Sequence, residues 1–361
     1  MYDQIREDTL YIMSYTAVTA LATIASCYLL LRQGNAFAAH IKTPPRLRRF
    51  TAAFFAAFAL NHLWYIPIFF HIPARDVTMI DLTGGLLDSL TLFPLAIIVL
   101  LTMLQDRRRP LWPVLALMSP IILAGLWGVA ARSYALLPWV YAYSLLAGLC
   151  LILYMVREVR RYGRWLRDNY ADLEHKEIWQ SFVVLAIILL VFGAYVFTSQ
   201  GPAYQYSMQL IIALLICCLL WRVETLSDLS DLGGGLKVEG GKEPSTLHQQ
   251  LQRHCIDTQL YLQHDLTLTQ LAKAVGTNRT YLGQYFSSQG LTYNAYINDL
   301  RVNHFVNLYQ EAAAAHHPFT AQQLALESGF RSYRTFSEAF KRKTGQSVTA
   351  WTKNQSSIHH T

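Results

Sequence analysis

The sequence lacks every short signature by which a chain declares a catalytic centre. It holds no H-E-x-x-H zinc pattern, no phosphate-cradling P-loop, no G-x-S-x-G elbow and no glycine-rich nucleotide fingerprint. No catalytic residue and no cofactor are expected, and the chain reads as a non-enzyme. Cysteine is scarce and badly spaced for metal. Of Cys27, Cys150, Cys217, Cys218 and Cys255, four lie in apolar runs and none has a ligand-like neighbour. Such cysteines act as small buried hydrophobes, so neither a disulfide framework nor a metal site is implied. His316, His317, His359 and His360 lack a partnering cysteine or a second histidine turn, which argues against a metal site there as well. A cleavable leader is also missing. Arg6 precedes an apolar run at 11–31 that is too long for a signal-peptide core and has no small-residue cleavage site, so the run reads as retained.

Hydrophobic residues, by contrast, are abundant at 53% of the chain, and they are unevenly placed. A bilayer core needs about 20 mainly apolar residues per helix. Seven segments meet that length: 11–31, 50–70, 79–104, 111–131, 134–155, 180–200 and 203–222. After residue 245 the chain turns polar, rich in Gln, Asn, Thr and His. The net charge of +7 is small for 361 residues, so its placement says more than its size. Arg32, Lys42, Arg46, Arg48 and Arg49 fill the first loop, and Arg107, Arg108 and Arg109 fill the third. Arg157, Arg160, Arg161, Arg164, Arg167 and Lys176 fill the fifth, while Arg75 and Arg132 are the basic residues of the even loops. The positive-inside rule then puts the N-terminus outside and the C-terminus in the cytoplasm, as an odd number of spans requires. The fifth loop, 156–179, is amphipathic and basic; it is expected to continue the fifth helix and rest on anionic lipid.

Ionisable groups inside a bilayer are costly and suggest a role. Asn61 and His62 fall near the middle of the second span, Asp88 lies at a similar depth in the third, and Asp81 lies nearer the outer surface. A His62–Asp88 pair would neutralise both groups. These four are candidates for a ligand or proton-sensing pocket, with a structural polar clamp between helices as the plainer alternative. Tyr204, Tyr206 and Gln209 open the last span and can line the same cavity.

Beyond Arg222 the stretch with Leu226, Leu229 and Leu232 is expected to extend the seventh helix by two or three turns, enough to zip weakly in a homodimer. Gly233, Gly234, Gly235, Gly240 and Gly241 then break regular structure into a flexible tether. The expected division is a seven-span domain at 1–222, a glycine-rich linker at 223–246 and a soluble helical domain at 247–361.

In that last part Leu247, Leu251 and Cys255 recur every four residues, as on a packing helix. Thr267 caps a helix holding Leu268, Leu271, Ala272 and Val275, ended by Gly276. A second helix, NRTYLGQYFSS, points Leu282 and Phe286 inward. The design repeats: Thr320 caps a helix with Leu324 and Ala325, Gly329 ends it, and SYRTFSEAFKRK presents Phe336 and Phe340 four apart. A small alanine four residues before each glycine lets two helices approach, and the glycine allows a tight corner. A long helix at 292–312 joins the two units.

The stretches LTQLAKAVGTNRTYLGQYF, YINDLRVNHF and AQQLALESGFRSYRTFSEAFKRKTGQS resemble, in order, the DNA-binding domain of the AraC/XylS family of transcription regulators over residues 247–353. The resemblance implies two recognition helices entering successive major grooves, and a linker helix beginning near Arg301. The sequence departs from the family pattern with Val348 where a proline is usual, one residue fewer before Gly290, and Gly283 within a recognition helix. Carried over by position, Arg279, Thr280 and Gln284 meet DNA in the first unit, and Tyr333, Arg334, Ser337 and Glu338 do so in the second. Arg334 suits bidentate bonding to guanine and Glu338 can accept from cytosine. Arg331, Lys341, Arg342 and Lys343 are placed for phosphate, which fixes register without reading sequence.

The fold class expected is therefore all-α: a polytopic seven-helix transmembrane domain followed by a cytoplasmic double helix-turn-helix DNA-binding domain. The function expected is a bacterial inner-membrane transcription regulator controlled by a signal sensed in its spans. Its partners would be double-stranded DNA, the lipid bilayer, a small-molecule or peptide signal, a second copy of the chain and, by the family resemblance, RNA polymerase. The alternative is a transporter or membrane enzyme fused to a DNA-binding regulatory domain, although no inverted repeat or pair of broken helices supports transport. A structural tether holding a promoter at the membrane is a third reading.

Overall fold

A computed structural model describes residues 8–32, 42–70, 73–173, 176–179, 182–183, 202–229, 244–315 and 318–358. Arg6, the glycines of the tether, the four histidines rejected as metal ligands and nearly all of the 180–200 segment lie outside the described residues. Within them the chain is all-α, with no strand, and it divides into two compact units. One comprises 1–162 and 178–230, the other 163–177 and 231–361.

In the first unit α1 (Thr9–Leu31) starts on Asp8, whose carboxylate accepts from Tyr11 N at 3.1 Å. It packs on α2 (Pro45–Trp64) through small residues: Ala22, Ala25 and Ala52 are buried, and Ser26 Oγ donates to Ala52 O at 2.8 Å. Small side chains let backbones approach where lipid offers no hydrophobic drive between helices. The third apolar segment is one path in three pieces, α3 (Ala74–Leu87), a wide turn over Asp88–Leu92, and α4 (Phe93–Thr102). Phe93 N donates five residues back to Asp88 O, and Pro94 follows. Proline has no N–H and crowds the carbonyl four residues earlier; widening the turn relieves that conflict. Helices α5 (Trp112–Ala131), α6 (Leu137–Asn169) and α7 (Pro202–Thr225) complete the unit's apolar set, with the last residues of α6 belonging to the second unit. Among the described residues six helical stretches are long and apolar enough to cross a membrane. On α6 Trp139 and Leu145 are each 75% exposed, a surface suited to hydrocarbon rather than water.

Two expectations change here. The fifth helix does continue into its basic extension, but residues 163–177 pack with the helix-turn-helix unit instead of standing free to lie on lipid. The seventh helix stops at Thr225. Leu226 and Leu229 are buried without being helical, because their segment's backbone is already bonded elsewhere. Gln105 Nε2 donates to Ser227 O and Gln105 Oε1 accepts from Leu229 N, both at 2.9 Å, while Asp228 N donates to Lys42 O at 2.8 Å. Leu232 lies outside the described residues.

Several loop arginines counted for topology are also structural. Arg48 Nη1 meets the fully buried Glu224 at 2.9 Å, and Tyr28 Oη donates to the same carboxylate at 3.1 Å. Arg107 and Arg109 both reach Glu158, at 2.8 and 2.7 Å, with Asp106 also on Arg109.

The second unit contains α8 (Pro244–Leu251), α9 (Leu268–Val275), α10 (Arg279–Ser288), α11 (Tyr293–Ala314), α12 (Ala321–Glu327), α13 (Tyr333–Thr344) and α14 (Val348–Ile358). One core gathers Leu247, Leu251, Cys255, Leu271, Leu282, Phe286 and Ile297; another gathers Phe305, Leu324, Phe330, Phe336, Phe340 and Val348. Helix α11 contributes to both, so it is the shared wall of two small domains. It begins at Tyr293, capped by Thr292, rather than near Arg301, which lies two turns inside it.

Candidate nucleic-acid interface

Each reading unit is built from local capping chemistry. Thr267 Oγ1 accepts from Gln270 N at 3.2 Å, and Gln270 Oε1 accepts from Thr267 N at 2.8 Å, a reciprocal box that opens α9. Gly276 ends the helix at φ 72°, and Thr277 N closes the last turn on Ala272 O at 2.8 Å. Asn278 then caps α10 by accepting from Tyr281 N at 2.8 Å. The second unit repeats the plan. Thr320 caps α12, Gly329 turns at φ 88°, Phe330 N bonds Ala325 O at 3.2 Å, and Ser332 caps α13. Ala272 and Ala325 are buried where the paired helices meet.

With Leu282 and Phe286 buried, α10 turns Thr280 and Gln284 outward, and Arg279 stands half-buried at its first turn. With Phe336, Ala339 and Phe340 buried, α13 exposes Tyr333, Arg334 and Glu338, with Ser337 partly covered. Arg334 Nε bonds Glu338 Oε1 at 3.2 Å across one turn. Arg331 pairs with Asp265 at 3.1 Å. Lys341 and Arg342 are exposed at the end of α13, where positive charge also suits the helix dipole. Lys343 is held differently: its Nζ donates to Asp299 O at 2.7 Å and to Asn303 Oδ1 at 2.5 Å on α11. Partial desolvation there draws its pKa below the ordinary lysine value, with Asp299 acting against the shift.

Arg301 locks the two units together, a role that its place in the sequence does not reveal. Its side chain is buried, with Nε donating to Tyr261 O at 2.7 Å and Nη2 to Gln263 O at 2.6 Å, in the loop before α9. Its guanidinium also lies 5.8 Å from the Phe330 ring centroid, in the corner of the second unit. Desolvation lowers its pKa to about 10, which leaves it charged near neutrality. His264 Nδ1 adds a bond to Gly329 O at 3.1 Å. The loop 260–264 is thereby fixed to the second corner, and the orientation of α10 relative to α13 is set by the protein.

The four polar candidates of the first unit separate into three places. Asn61 Nδ2 donates to Asp88 Oδ1 at 2.7 Å and contacts Thr91 Oγ1 at 3.2 Å. Asp88 thus takes Asn61 as its partner in place of the possible His62 pair, an arrangement that fits the polar clamp between helices. His62 instead stacks between Phe58 and Tyr15, with ring centroids 4.2 and 4.4 Å away, beside Gln209. Tyr134 Oη reaches Asp81 at 3.5 Å, and Tyr206 Oη donates to Asp8 at 2.6 Å. The side chain of Tyr204 lies outside the described residues. No group of three metal-ligating side chains occurs among the described residues.

These paired corners, with an exposed face on each second helix, define a double helix-turn-helix domain. Residues 271–354 match the family model described as a helix-turn-helix domain, a span that runs from within α9 through the second unit into α14. No curated protein and no solved structure matches the chain. The match supports a DNA-binding, transcription-regulating role for the matched residues.

Proposed function

We propose that the protein is a membrane-embedded transcription regulator that reads promoter DNA with α10 and α13 under the control of a signal sensed by its apolar helices. The observation that carries this reading is the pair of recognition helices held in one orientation by Arg301 and the 260–264 loop. Such a pair suits two successive major-groove entries on one face of a duplex. Arg279, Thr280 and Gln284 read the first site; Tyr333, Arg334, Ser337 and Glu338 read the second. The Arg334–Glu338 pair is well exposed, and exposed pairs of this kind are worth only about 0.3–0.5 kcal/mol. DNA can therefore separate the two side chains at little cost, freeing Arg334 for guanine and Glu338 for cytosine.

Arg331, Lys341, Arg342 and Lys343 supply phosphate contacts. The polar groups Asn61, His62, Asp81 and Asp88 serve sensing, since anchoring alone needs one span. The basic loops favour an inner-membrane location with this domain in the cytoplasm.

Binding of the intact protein to duplex DNA across a salt series tests the interface. Each lost phosphate contact should reduce the slope of log K against log salt by about 1. Replacing Lys341 and Arg342 by Gln should lower it by about 2; an unchanged slope would remove these residues from the interface. For sensing, Asp88→Asn should abolish the transcriptional response while DNA binding persists. Full regulation by a chain whose spans are exchanged for one unrelated span would instead make the membrane part a tether.

A further inference from the structure

Residues 163–173 of the second unit form a strap that lies on the first recognition unit and has no counterpart on the second among the described residues. Ala171 is fully buried inside the first recognition unit's core, and Leu166, Tyr170 and Asp172 are also buried. The strap's backbone is received by side chains that are themselves buried. Asn294 Nδ2 donates to Ala171 O at 2.6 Å and to Tyr170 O at 3.2 Å; Asn298 Nδ2 reaches Ala171 O at 3.3 Å. Tyr170 also forms an antiparallel bridge with Thr267, the residue that caps α9. A buried amide stripped of its partner is costly, so Asn294 and Asn298 make the strap part of the resting fold.

The strap reaches the reading face itself. Arg279 lies with its guanidinium 6.0 Å from the Trp165 ring centroid. Arg279, Thr280, Gly283, Gln284 and Ser287 line one side of a cleft of about 520 Å³, which Asp168 and Asn169 also line. A recognition helix must present this face to the floor of a groove about 12 Å wide. Asp168 adds a carboxylate to this cleft, with Arg164 and Arg167 of the same helix acting on it. Thr280, Gln284 and Ser287 remain exposed, as Tyr333, Arg334 and Glu338 are on α13, but on α10 the strap's Asp168 and Asn169 share the cleft with the reading residues.

We propose that the 163–173 strap is an internal competitor of DNA for α10: while it is seated, the second unit alone reads DNA, and engagement of the first unit requires the strap to leave. The proposal rests on the function proposed above. The strap continues the same helix as the apolar segment of α6, so a change in that segment has a bonded route to α10. If the competent state is a fraction f of molecules, the apparent dissociation constant is the intrinsic one divided by f, and loosening the strap tightens binding without a new contact.

Hydrogen–deuterium exchange on the full-length protein in lipid nanodiscs tests this, with duplexes that the protein itself selects from a random-sequence pool. Saturating duplex should slow exchange in both α10 and α13 and raise it roughly tenfold or more across 163–172, as release of the strap requires. Protection of α10 by DNA with the strap still protected would overturn the proposal. Protection of neither α10 nor α13 would overturn the DNA-reading function instead. A second arm uses Ala171→Arg, which cannot seat in the core. Its affinity for the same duplexes should rise roughly tenfold, as expected when f climbs from about one tenth toward one. Unchanged affinity with α13 exchanging as in the wild type would contradict the strap's role; if α13 also loosens, the variant has unfolded and the wild-type arm decides.

Discussion

The Arg301 guanidinium lies over the Phe330 ring, 5.8 Å to its centroid, while donating to the carbonyls of Tyr261 and Gln263. One side chain on the linker helix thus touches the loop that opens the first unit and the corner of the second. Lysine cannot reproduce this fork, since its ammonium is a compact charge that stacks poorly and reaches two divergent carbonyls badly. Arg301→Lys is expected to destabilise the second unit by about 3 kcal/mol, and Arg301→Ala by more through the cavity it leaves. Denaturant unfolding followed by exchange in α10 and α13 measures this. Both helices should loosen together.

Gly329 and Gly345 both sit at positive φ, 88° and 74°, but only one is crowded. A Cβ on Gly329 would stand 2.7 Å from Leu262 Cα, whereas nothing lies within 4 Å of one on Gly345. Gly345→Ala should cost about 1–2 kcal/mol, the left-handed penalty alone. Gly329→Ala must also push the 260–264 loop away from the corner, so its cost should exceed that by at least about 1–3 kcal/mol. Equal losses in thermal unfolding of the second unit would show that the two corners are not coupled through this contact.

Gly283 is the opposite case. It has ordinary helical geometry, and an added Cβ would meet Leu268 Cδ2 at a comfortable 3.8 Å. Gly283→Ala should therefore stabilise α10 by about 0.5–1 kcal/mol, the usual helical difference between the two residues. Slower amide exchange in α10 is the readout; faster exchange would mean the methyl is not accommodated.

Glu224 closes the last apolar helix of the first unit onto Arg48 and Tyr28. Removing one member of a buried pair strands the other, at about 3–5 kcal/mol, while replacing both with apolar residues is often near neutral. Glu224→Ala should lower the resistance of the first unit to denaturing detergent sharply, and Arg48→Met with Glu224→Leu should restore most of it. A double variant as weak as the single one would show that the charges do more than neutralise each other.

Much of this was legible in the sequence, for reasons that differ by element. The two corners were readable because capping and turning are local: Thr267, Gly276, Thr320 and Gly329 act through bonds a few residues away. The long apolar helices were readable from length and composition alone. What stayed hidden depends on partners distant in the chain. Nothing near Asn294 signals that it receives the Ala171 carbonyl, and nothing near Leu226 signals that Gln105 takes up the backbone around it and ends helix α7 early. The pairing of Asp88 with Asn61 rather than His62 turns on side-chain direction along α2, which periodicity does not resolve. Arginines read as topology signals proved to be ion-pair members as well, because charge counting ignores what a charge touches.

Reading of DNA by two helices in fixed register is checked by mapping bound genomic sites of the intact protein, of Arg279→Ala and of Arg334→Ala. The expected site has two base-pair blocks about one helical turn, roughly 10–10.5 base pairs, apart. Arg334→Ala should relax preference in one block by about 1–3 kcal/mol per lost base contact, and Arg279→Ala in the other. Variants that occupy the same sites with unchanged preference would contradict it.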